Sequence, residues 1–206
     1  KTVSEKITKG PLDMVWCRNC SLLQMKQSYN PDEMYGENYG YKSGLNITMV
    51  RHLRQKMRML ETLVKPKPSD IILDIGSNDA TLLKSCTGHS KRVGIDPIGE
   101  KFRKYYTSDM VLISDFFSAD VFSKHFPNKK AKIITSIAMF YDLENPKEFV
   151  QDIEKCLADY GIWHFEQSYM PSMLRTNAYD TICHEHLEFY SFSVVKKLLE
   201  RCKMRV

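Results

Sequence analysis

Apolar positions along this chain follow two different periods, and each period predicts a different kind of element. Over residues 46–64, apolar side chains recur at spacings of three and four, which predicts an amphipathic helix with one buried stripe. Two prolines in the following stretch, 65–70, disfavour helix and mark a domain boundary. The stripe is formed by Val50, Leu53, Met57, Leu60 and Val64.

Beyond residue 70, short runs rich in Ile and Val are separated by helical stretches, and this alternation predicts a parallel, doubly wound α/β sheet. The predicted strands are 71–76, 93–96, 110–114, 132–139 and 161–167. The predicted helices are 79–86, 99–106, 119–125, 146–158 and 192–203, the fourth capped by Asn145 with Pro146 in its first position. Residues 204–206 resemble a strand that is just beginning, so we expect the natural chain to continue beyond them.

These elements divide the 206 residues into a loop-rich N-terminal segment (1–45), a connecting helix with its linker (46–68) and an α/β domain (69–206). The chain is 43% hydrophobic and 27% charged, which argues against disorder, and no apolar stretch approaches the roughly 20 residues of a membrane span. The N-terminus has no apolar signal core, so we expect a cytoplasmic protein without a membrane partner.

The net charge of +5 is uneven, because residues 1–68 hold 12 Lys and Arg against 6 Asp and Glu. A solvated basic face explains this surplus more simply than a nucleic-acid partner, and we expect no nucleic acid to bind. One rival hypothesis, a non-catalytic module that binds nucleic acid through this segment, predicts a steep salt dependence of binding. Neither charge nor composition predicts an oligomeric state.

In a parallel sheet, ligands bind beyond the carboxyl ends of the strands, so the residues that follow each strand matter most. The first turn, residues 74–80, has one glycine, Gly76, and two acids, Asp74 and Asp79. A dinucleotide-binding turn has three spaced glycines, so this turn better suits a cationic ligand without phosphates. Asp96 ends the second strand 22 residues after Asp74, a spacing that fits an acid accepting hydrogen bonds from ribose hydroxyls.

The third strand ends in Asp115, Phe116 and Phe117, an acid and an aromatic pair that fit an adenine ring. With these residues in order, the sequence resembles the class I methyltransferases that use S-adenosylmethionine, which have a Rossmann-like sheet. The resemblance implies that Asp74, Gly76 and Asn78 line the methionine and ribose side of the cofactor. It also implies that Asp96 holds the ribose and that Asp115 with Phe116 holds the adenine.

A second group of chemically active residues lies in YDTICHEHLEFYS, residues 179–191, where His184, Glu185 and His186 are consecutive. A carboxylate beside imidazoles in an apolar setting can tune a general base toward neutral pH. Two alternatives stay open at this point. The cluster can instead tie a loop to the core, or the two histidines can be metal ligands.

This segment, with Glu166 and Tyr169 ahead of it, closely resembles the sugar C-methyltransferases that act on nucleotide-linked 4-keto deoxysugars. Upstream, PLDMVWCRNCSLLQM resembles the second half of that family's small zinc-binding region, which makes Cys17 and Cys20 candidate zinc ligands. The family uses two cysteine pairs, and one pair is missing here. Cys183 stands where the family often has Tyr, Met139 stands near a position where it often has His, and the family's C-terminal domain is absent.

The resemblance implies that a methyl group is transferred to the carbon next to a ketone, which requires a base and a partner for the enolate oxygen. We expect His186 to remove the proton and Glu185 to orient His186. Tyr41 or Tyr169 would donate a hydrogen bond to the enolate oxygen. Tyr39, in YGENYGY, is expected in a loop over the cofactor, although such loops also simply pack on a core. The alternative function is a methyltransferase for oxygen or nitrogen of another small molecule.

Overall fold

In the residues that the structure describes, 9–30, 34–35 and 39–206, the chain forms eight strands in two sheets. This computed structural model has β1 (Met14–Trp16), β2 (Leu23–Met25), β3 (Ile71–Ile75), β4 (Lys91–Ile95), β5 (Met110–Ile113), β6 (Ala131–Ile137), β7 (Leu157–Glu166) and β8 (Glu188–Phe189). Five of them form a parallel sheet in the order β5-β4-β3-β6-β7. All five strands predicted from the apolar runs are present, and the predicted α/β fold is confirmed.

The strand order of the parallel sheet reverses at β3, which pairs with β4 on one side and β6 on the other. Every residue of β3 is buried, as expected for a strand covered on both faces. From β3 the chain continues through β4 to β5 at one edge, then crosses to β6 and β7 at the other. Such a reversal opens a crevice at the carboxyl ends of β3, β4 and β6.

Six helices surround the sheet in the described part of the chain: α1 (Ile47–Val64), α2 (Gly99–Phe102), α3 (Ala119–His125), α4 (Pro146–Cys156), α5 (Met170–Thr176) and α6 (Phe192–Arg201). The predicted helix at 46–64 is confirmed as α1, where the Asn46 side chain accepts hydrogen bonds from the amides of Thr48 and Met49. None of these helices is both long and apolar enough to cross a membrane.

The helices cover both faces of the sheet, because alternate side chains of each strand point to opposite sides. On one face Leu53 and Met57 of α1 belong to the same buried cluster as Ile72 of β3. On the other face Leu73 shares a larger cluster with Val150 of α4 and with residues of α3 and α6. Asp74 follows the Ile72 side of the alternation, so its carboxylate lies on the α1 face.

The predicted helix at 79–86 is wrong, since only one 3-10 turn, Leu83–Ser85, forms there. Asn78 and Ala80 have left-handed backbone angles, with φ of +47° and +59°, and an α-helix cannot pass through them. The Asp79 carboxylate also accepts hydrogen bonds from the amide and hydroxyl of Thr81, which holds the turn in this shape.

Three smaller predictions need correction. The predicted helix at 146–158 ends at Cys156, because Leu157 already pairs with Ala131 in the sheet. Asn145 occupies the cap position of that helix, but its side chain makes no capping hydrogen bond. Residues 204–206 form no strand.

The N-terminal segment is fastened to the rest of the molecule by a small antiparallel sheet in the order β1-β2-β8. Leu23 of β2 pairs with Phe189 of β8, and the Met25 amide donates to the Leu187 carbonyl. Residues 14–25 therefore lie directly beside the end of the H-E-H segment, although about 160 residues separate them in sequence.

Candidate functional site

A cavity opens at the carboxyl ends of β3, β4 and β6, where the reversal of strand order leaves a crevice. Its walls come from the turns after these strands and from the tyrosine-rich segment before α1. The chemically informative lining residues are Tyr35, Tyr39, Tyr41, Ser43, Asp74, Gly76, Ser77, Asn78, Asp96, Phe116, Phe117, Met139 and Asp142.

Two buried carboxylates, Asp74 and Asp96, form one end of the cavity. Asp96 accepts hydrogen bonds from the amides of Asn78 (2.8 Å) and Ile98 (3.0 Å), while Asp74 accepts one from the Thr135 hydroxyl (2.6 Å). Burial and the nearby charge of Asp96 raise the pKa of Asp74 to about 7, and burial also raises the pKa of Asp96. A cation placed between them would favour their charged forms.

The turn after β3 joins this end of the cavity to the segment before α1. Gly76 has φ of +68°, a conformation that favours glycine, and a Cβ there would lie 3.3 Å from Met139. Asn78 donates through its side-chain amide to the Tyr41 carbonyl and accepts from the Ser43 amide. These bonds hold the backbone of residues 41–43 against the turn.

Of the pair expected to hold an adenine, the structure brings only the aromatic member to the cavity. Phe116 lines the cavity and is 54% exposed, so a flat face is available to a ligand. Asp115 is exposed, lies outside the cavity lining and accepts a hydrogen bond from the Phe116 amide. Phe117 lines the cavity as well, and packs edge-on against Phe149.

The opposite end of the cavity contains Asp142, which the sequence analysis did not single out. Burial and the charge of Glu185 raise the pKa of Asp142 to about 8, although a hydrogen bond from Tyr35 acts in the other direction. Its Oδ1 atom is buried and has no hydrogen-bond partner among the described residues. Its position just after a buried strand, β6, was the one feature of the sequence that would have pointed to it.

Tyrosines stand between the two ends of the cavity. Burial, with the charges of Glu185, Asp142 and Asp96, raises the pKa of Tyr39 to about 12, so its phenol stays protonated and can donate a hydrogen bond. Tyr35 packs beside Tyr39 with ring centroids 5.8 Å apart. Tyr41 is half-exposed at the rim, while Gly36 to Asn38 of the YGENYGY segment fall outside the described residues.

His186 is oriented by a hydrogen bond from its Nδ1 to the Thr181 carbonyl, at 2.7 Å. Because a carbonyl only accepts, Nδ1 carries the proton in the neutral ring, and Nε2 is left with a free electron pair. The ring packs edge-on against Tyr141, with centroids 4.4 Å apart. Tyr141 precedes the lining residue Asp142 in sequence, whereas His186 and Glu185 themselves do not line the cavity.

The two histidines of the H-E-H run, His184 and His186, make different contacts. The Nε2 atom of His184 donates to the Gly10 carbonyl at 3.0 Å, and its ring packs against Tyr29. Tyr29 in turn donates to the Pro11 carbonyl. These contacts of His184 fit the alternative in which the cluster ties a loop to the core, and none of His184, Glu185 and His186 lines the cavity.

Two other strand-end residues are also accounted for by the structure. Tyr169 lies on a separate groove along β7 with Trp163 and Phe192, so the structure does not bring it to the cavity. The carboxylate of Glu166, at the end of β7, contacts His52 Nε2 (2.5 Å) and forms an ion pair with Lys56 Nζ (2.7 Å); both residues belong to α1. This pairing ties the helix to the sheet.

Cys17 and Cys20 lie together in the turn between β1 and β2. Hydrogen bonds from Cys20 lower the pKa of the Cys17 thiol, which favours the thiolate that binds metals. No third ligand joins them among the described residues, and a structural zinc site needs four. Zinc at this pair stays a prediction.

The charge of the cavity indicates the kind of ligand it can hold. Its polar lining includes three carboxylates, and among the described residues no Lys, Arg or His side chain contributes to it. The low dielectric of such a site strengthens the attraction for a positive charge and opposes a phosphate. The arrangement fits a ligand that carries a cationic centre, ribose hydroxyls and an aromatic ring.

The chain matches a known protein family and is similar to a curated protein. A family described as "Methyltransferase domain" matches residues 49–202. The C-methyltransferase NovU of Streptomyces niveus is 25% identical over 201 residues, a match that covers 97% of this chain and 48% of that protein. The chain therefore spans about half the length of this curated relative.

Solved structures share the fold. A SAM dependent methyltransferase from Archaeoglobus fulgidus superposes with a TM-score of 0.56 and 17% identity, over 74% of this chain and 68% of that one. The plantazolicin methyltransferase BamL, in complex with a triazolic desmethylPZN analog and SAH, superposes with a TM-score of 0.57 and 17% identity. The match covers 76% of this chain and 63% of that one. At these identities the likeness concerns the fold alone, and it confirms the predicted fold class.

Proposed function

The chain belongs to the methyltransferase domain family, and from that premise we propose that it uses S-adenosylmethionine to methylate a carbon beside the ketone of a nucleotide-linked 4-keto deoxysugar. The observation that carries the proposal is the pairing of an acidic cavity, which suits a sulfonium, with the imidazole of His186, which is oriented by Thr181 and packs on Tyr141 next to the lining residue Asp142. The name of the curated relative, a C-methyltransferase, supports methylation of carbon.

The residues at the β3 and β4 end of the cavity would hold the cofactor. Asp96, fixed by two backbone amides, would accept from the ribose hydroxyls, and Phe116 would stack on the adenine. Asp74, Gly76 and Asn78 would line the methionine side, with Tyr39 over them. When bound, S-adenosylmethionine supplies an electrophilic methyl group attached to a positively charged sulfur.

The acceptor would extend past Asp142 to His186, which does not itself line the cavity, and there its carbon would become nucleophilic. His186 Nε2 takes the proton from the carbon next to the ketone, and the electron pair of that C–H bond moves toward the carbonyl oxygen to give an enolate. Glu185 beside it stabilises the imidazolium, and the Tyr41 hydroxyl donates a hydrogen bond to the enolate oxygen. The proton on Nε2 then passes to solvent.

Deuterium exchange separates this chemistry from other methylations. Nucleotide-linked 4-keto sugars are incubated with the full-length protein in heavy water, with and without S-adenosylmethionine, and followed by mass spectrometry. We expect deuterium at the carbon beside the ketone without cofactor, and one added methyl group with it. The matched control substrate is the same nucleotide sugar with a hydroxyl in place of the ketone, which should show neither change.

If the control substrate gains a methyl group and neither compound exchanges carbon-bound hydrogen, the carbon-methylation hypothesis is wrong. Methylation of oxygen or nitrogen would then take its place. Absence of S-adenosylmethionine binding by equilibrium dialysis would overturn the assignment of the cavity itself. The His186→Asn variant should lose the exchange while it keeps cofactor affinity, because its side chain lies outside the cavity lining.

A further inference from the structure

Three side chains that are common metal ligands converge in the turn at residues 183–186. One ligand atom each from Cys183, Glu185 and His186 lies within 4.8 Å of the other two. The turn is closed by a hydrogen bond from the His186 amide to the Cys183 carbonyl, which folds the chain back on itself. His184, between them in sequence, is engaged elsewhere by the Gly10 carbonyl.

The hydrogen bond of His186 is a second, independent observation that points to a metal ligand. A histidine that binds a metal through one ring nitrogen usually donates its other N–H to a carbonyl or a carboxylate, which fixes the ring and its tautomer. His186 makes this bond to the Thr181 carbonyl at 2.7 Å, and Nε2 is left as a donor of electrons. All three side chains are partly buried, so a bound ion would be shielded from water without being closed off.

We propose that Cys183, Glu185 and His186 form a binding site for Zn²⁺. A thiolate, an imidazole and a carboxylate are the three ligand types that this ion prefers, and three protein ligands leave one position open. On binding, the Cys183 thiol gives one proton to solvent and becomes a thiolate.

Occupation of this site would also regulate catalysis, a consequence that rests on the proposed function. The free electron pair of His186 Nε2 can hold either a metal ion or a proton, because the Nδ1 proton is committed to Thr181. Bound Zn²⁺ therefore removes the base. The site then acts as a reversible block on proton abstraction and leaves the cofactor end of the cavity untouched.

Cobalt is the probe for the site, because a bond between thiolate and Co²⁺ gives a charge-transfer absorption that oxygen and nitrogen ligands do not. The background is the Cys17→Ser/Cys20→Ser variant, which removes the other thiol pair. We expect one Co²⁺ per chain, displaced by Zn²⁺, and the loss of the absorption with at least a 100-fold loss of affinity in Cys183→Ser. Cys86→Ser, which changes a thiol elsewhere, is the matched control and should leave both unchanged.

Persistence of the absorption in Cys183→Ser, or no Co²⁺ binding in the background variant, would overturn the site. Thermal unfolding of each variant, followed by circular dichroism, verifies that the fold is intact in the comparison. The regulatory consequence has its own readout. Zn²⁺ should block deuterium exchange in the background variant and not after Cys183→Ser, and exchange that continues with the metal bound would remove the base role of His186 while the metal site stands.

Discussion

The two ends of the cavity are built in different ways. Asp74, Asn78 and Asp96 come from two adjacent strands and their turns, and backbone amides or a neighbouring hydroxyl satisfy both carboxylates. Asp142 lines the other end and His186 lies outside the lining near it; the two come from distant parts of the chain, and the Asp142 Oδ1 atom has no partner among the described residues. One end is preorganised by a single sheet, whereas the other exists only where separate segments dock.

This difference predicts which substitutions will affect ligand binding alone and which will also affect the stability of the fold. At the sheet end, a substitution removes a defined bond to a ligand and leaves the surroundings in place, because β3 and β4 are held by their own ladder. At the docked end, residues 10, 29 and 141 hold the H-E-H segment, so binding of substrate and stability of the fold depend on overlapping contacts. Three pairs of measurements separate these effects.

The largest expected effect distinguishes the two histidines of the docked end. His186→Asn should lower turnover by about 100-fold or more, because the proton acceptor is lost. His184→Asn should lower the free energy of unfolding by about 1 kcal/mol, through its bond to Gly10, and change turnover of the folded protein by less than about threefold. Steady-state kinetics and urea unfolding of both variants give the comparison. Equal losses of turnover would show that the two histidines act as one unit.

The second expected effect concerns the sheet end. Asp96→Asn should weaken S-adenosylmethionine binding about 30-fold, since it removes a charged acceptor held by two amides. Asp120→Asn, an equivalent change on the exposed face of α3, is the control and should stay within about twofold. Isothermal titration calorimetry measures both. Similar affinities for the two variants would place the ribose elsewhere.

The smallest expected effect is a pH-dependent change in stability at Asp142. Its pKa is about 8 in the folded chain against 3.8 unfolded, so the native state binds its proton more tightly and loses stability as pH rises through that interval. Asp142→Asn should therefore stabilise the fold by about 1 to 2 kcal/mol more at pH 9 than at pH 5, a figure reduced for partial exposure. Urea unfolding at the two pH values tests this. A pH-independent difference would mean that the carboxyl is ionised throughout.

Much of the sheet end could be predicted from the sequence. Runs of Ile and Val located all five strands of the parallel sheet, and the rule that ligands bind beyond parallel strands singled out Asp74 and Asp96. The error at 79–86 came from backbone angles at Asn78 and Ala80, which a local pattern of apolar residues does not contain. Asp115 showed the limit of the same rule, because ending a strand does not by itself bring a side chain into the cavity.

The sequence by itself determined the α/β fold and the cavity end that follows β3 and β4, because hydrophobic periodicity and strand ends are local properties of the chain. Only the tertiary structure decided that His184 faces Gly10, that His186 faces Thr181 with Cys183 close by, and that Asp142 lines the cavity. These positions depend on contacts that form when β8 pairs with β2 and when the Leu187 amide donates a hydrogen bond to the Tyr141 carbonyl. No periodicity encodes such contacts, since each one joins segments whose spacing in the sequence is set by everything folded between them.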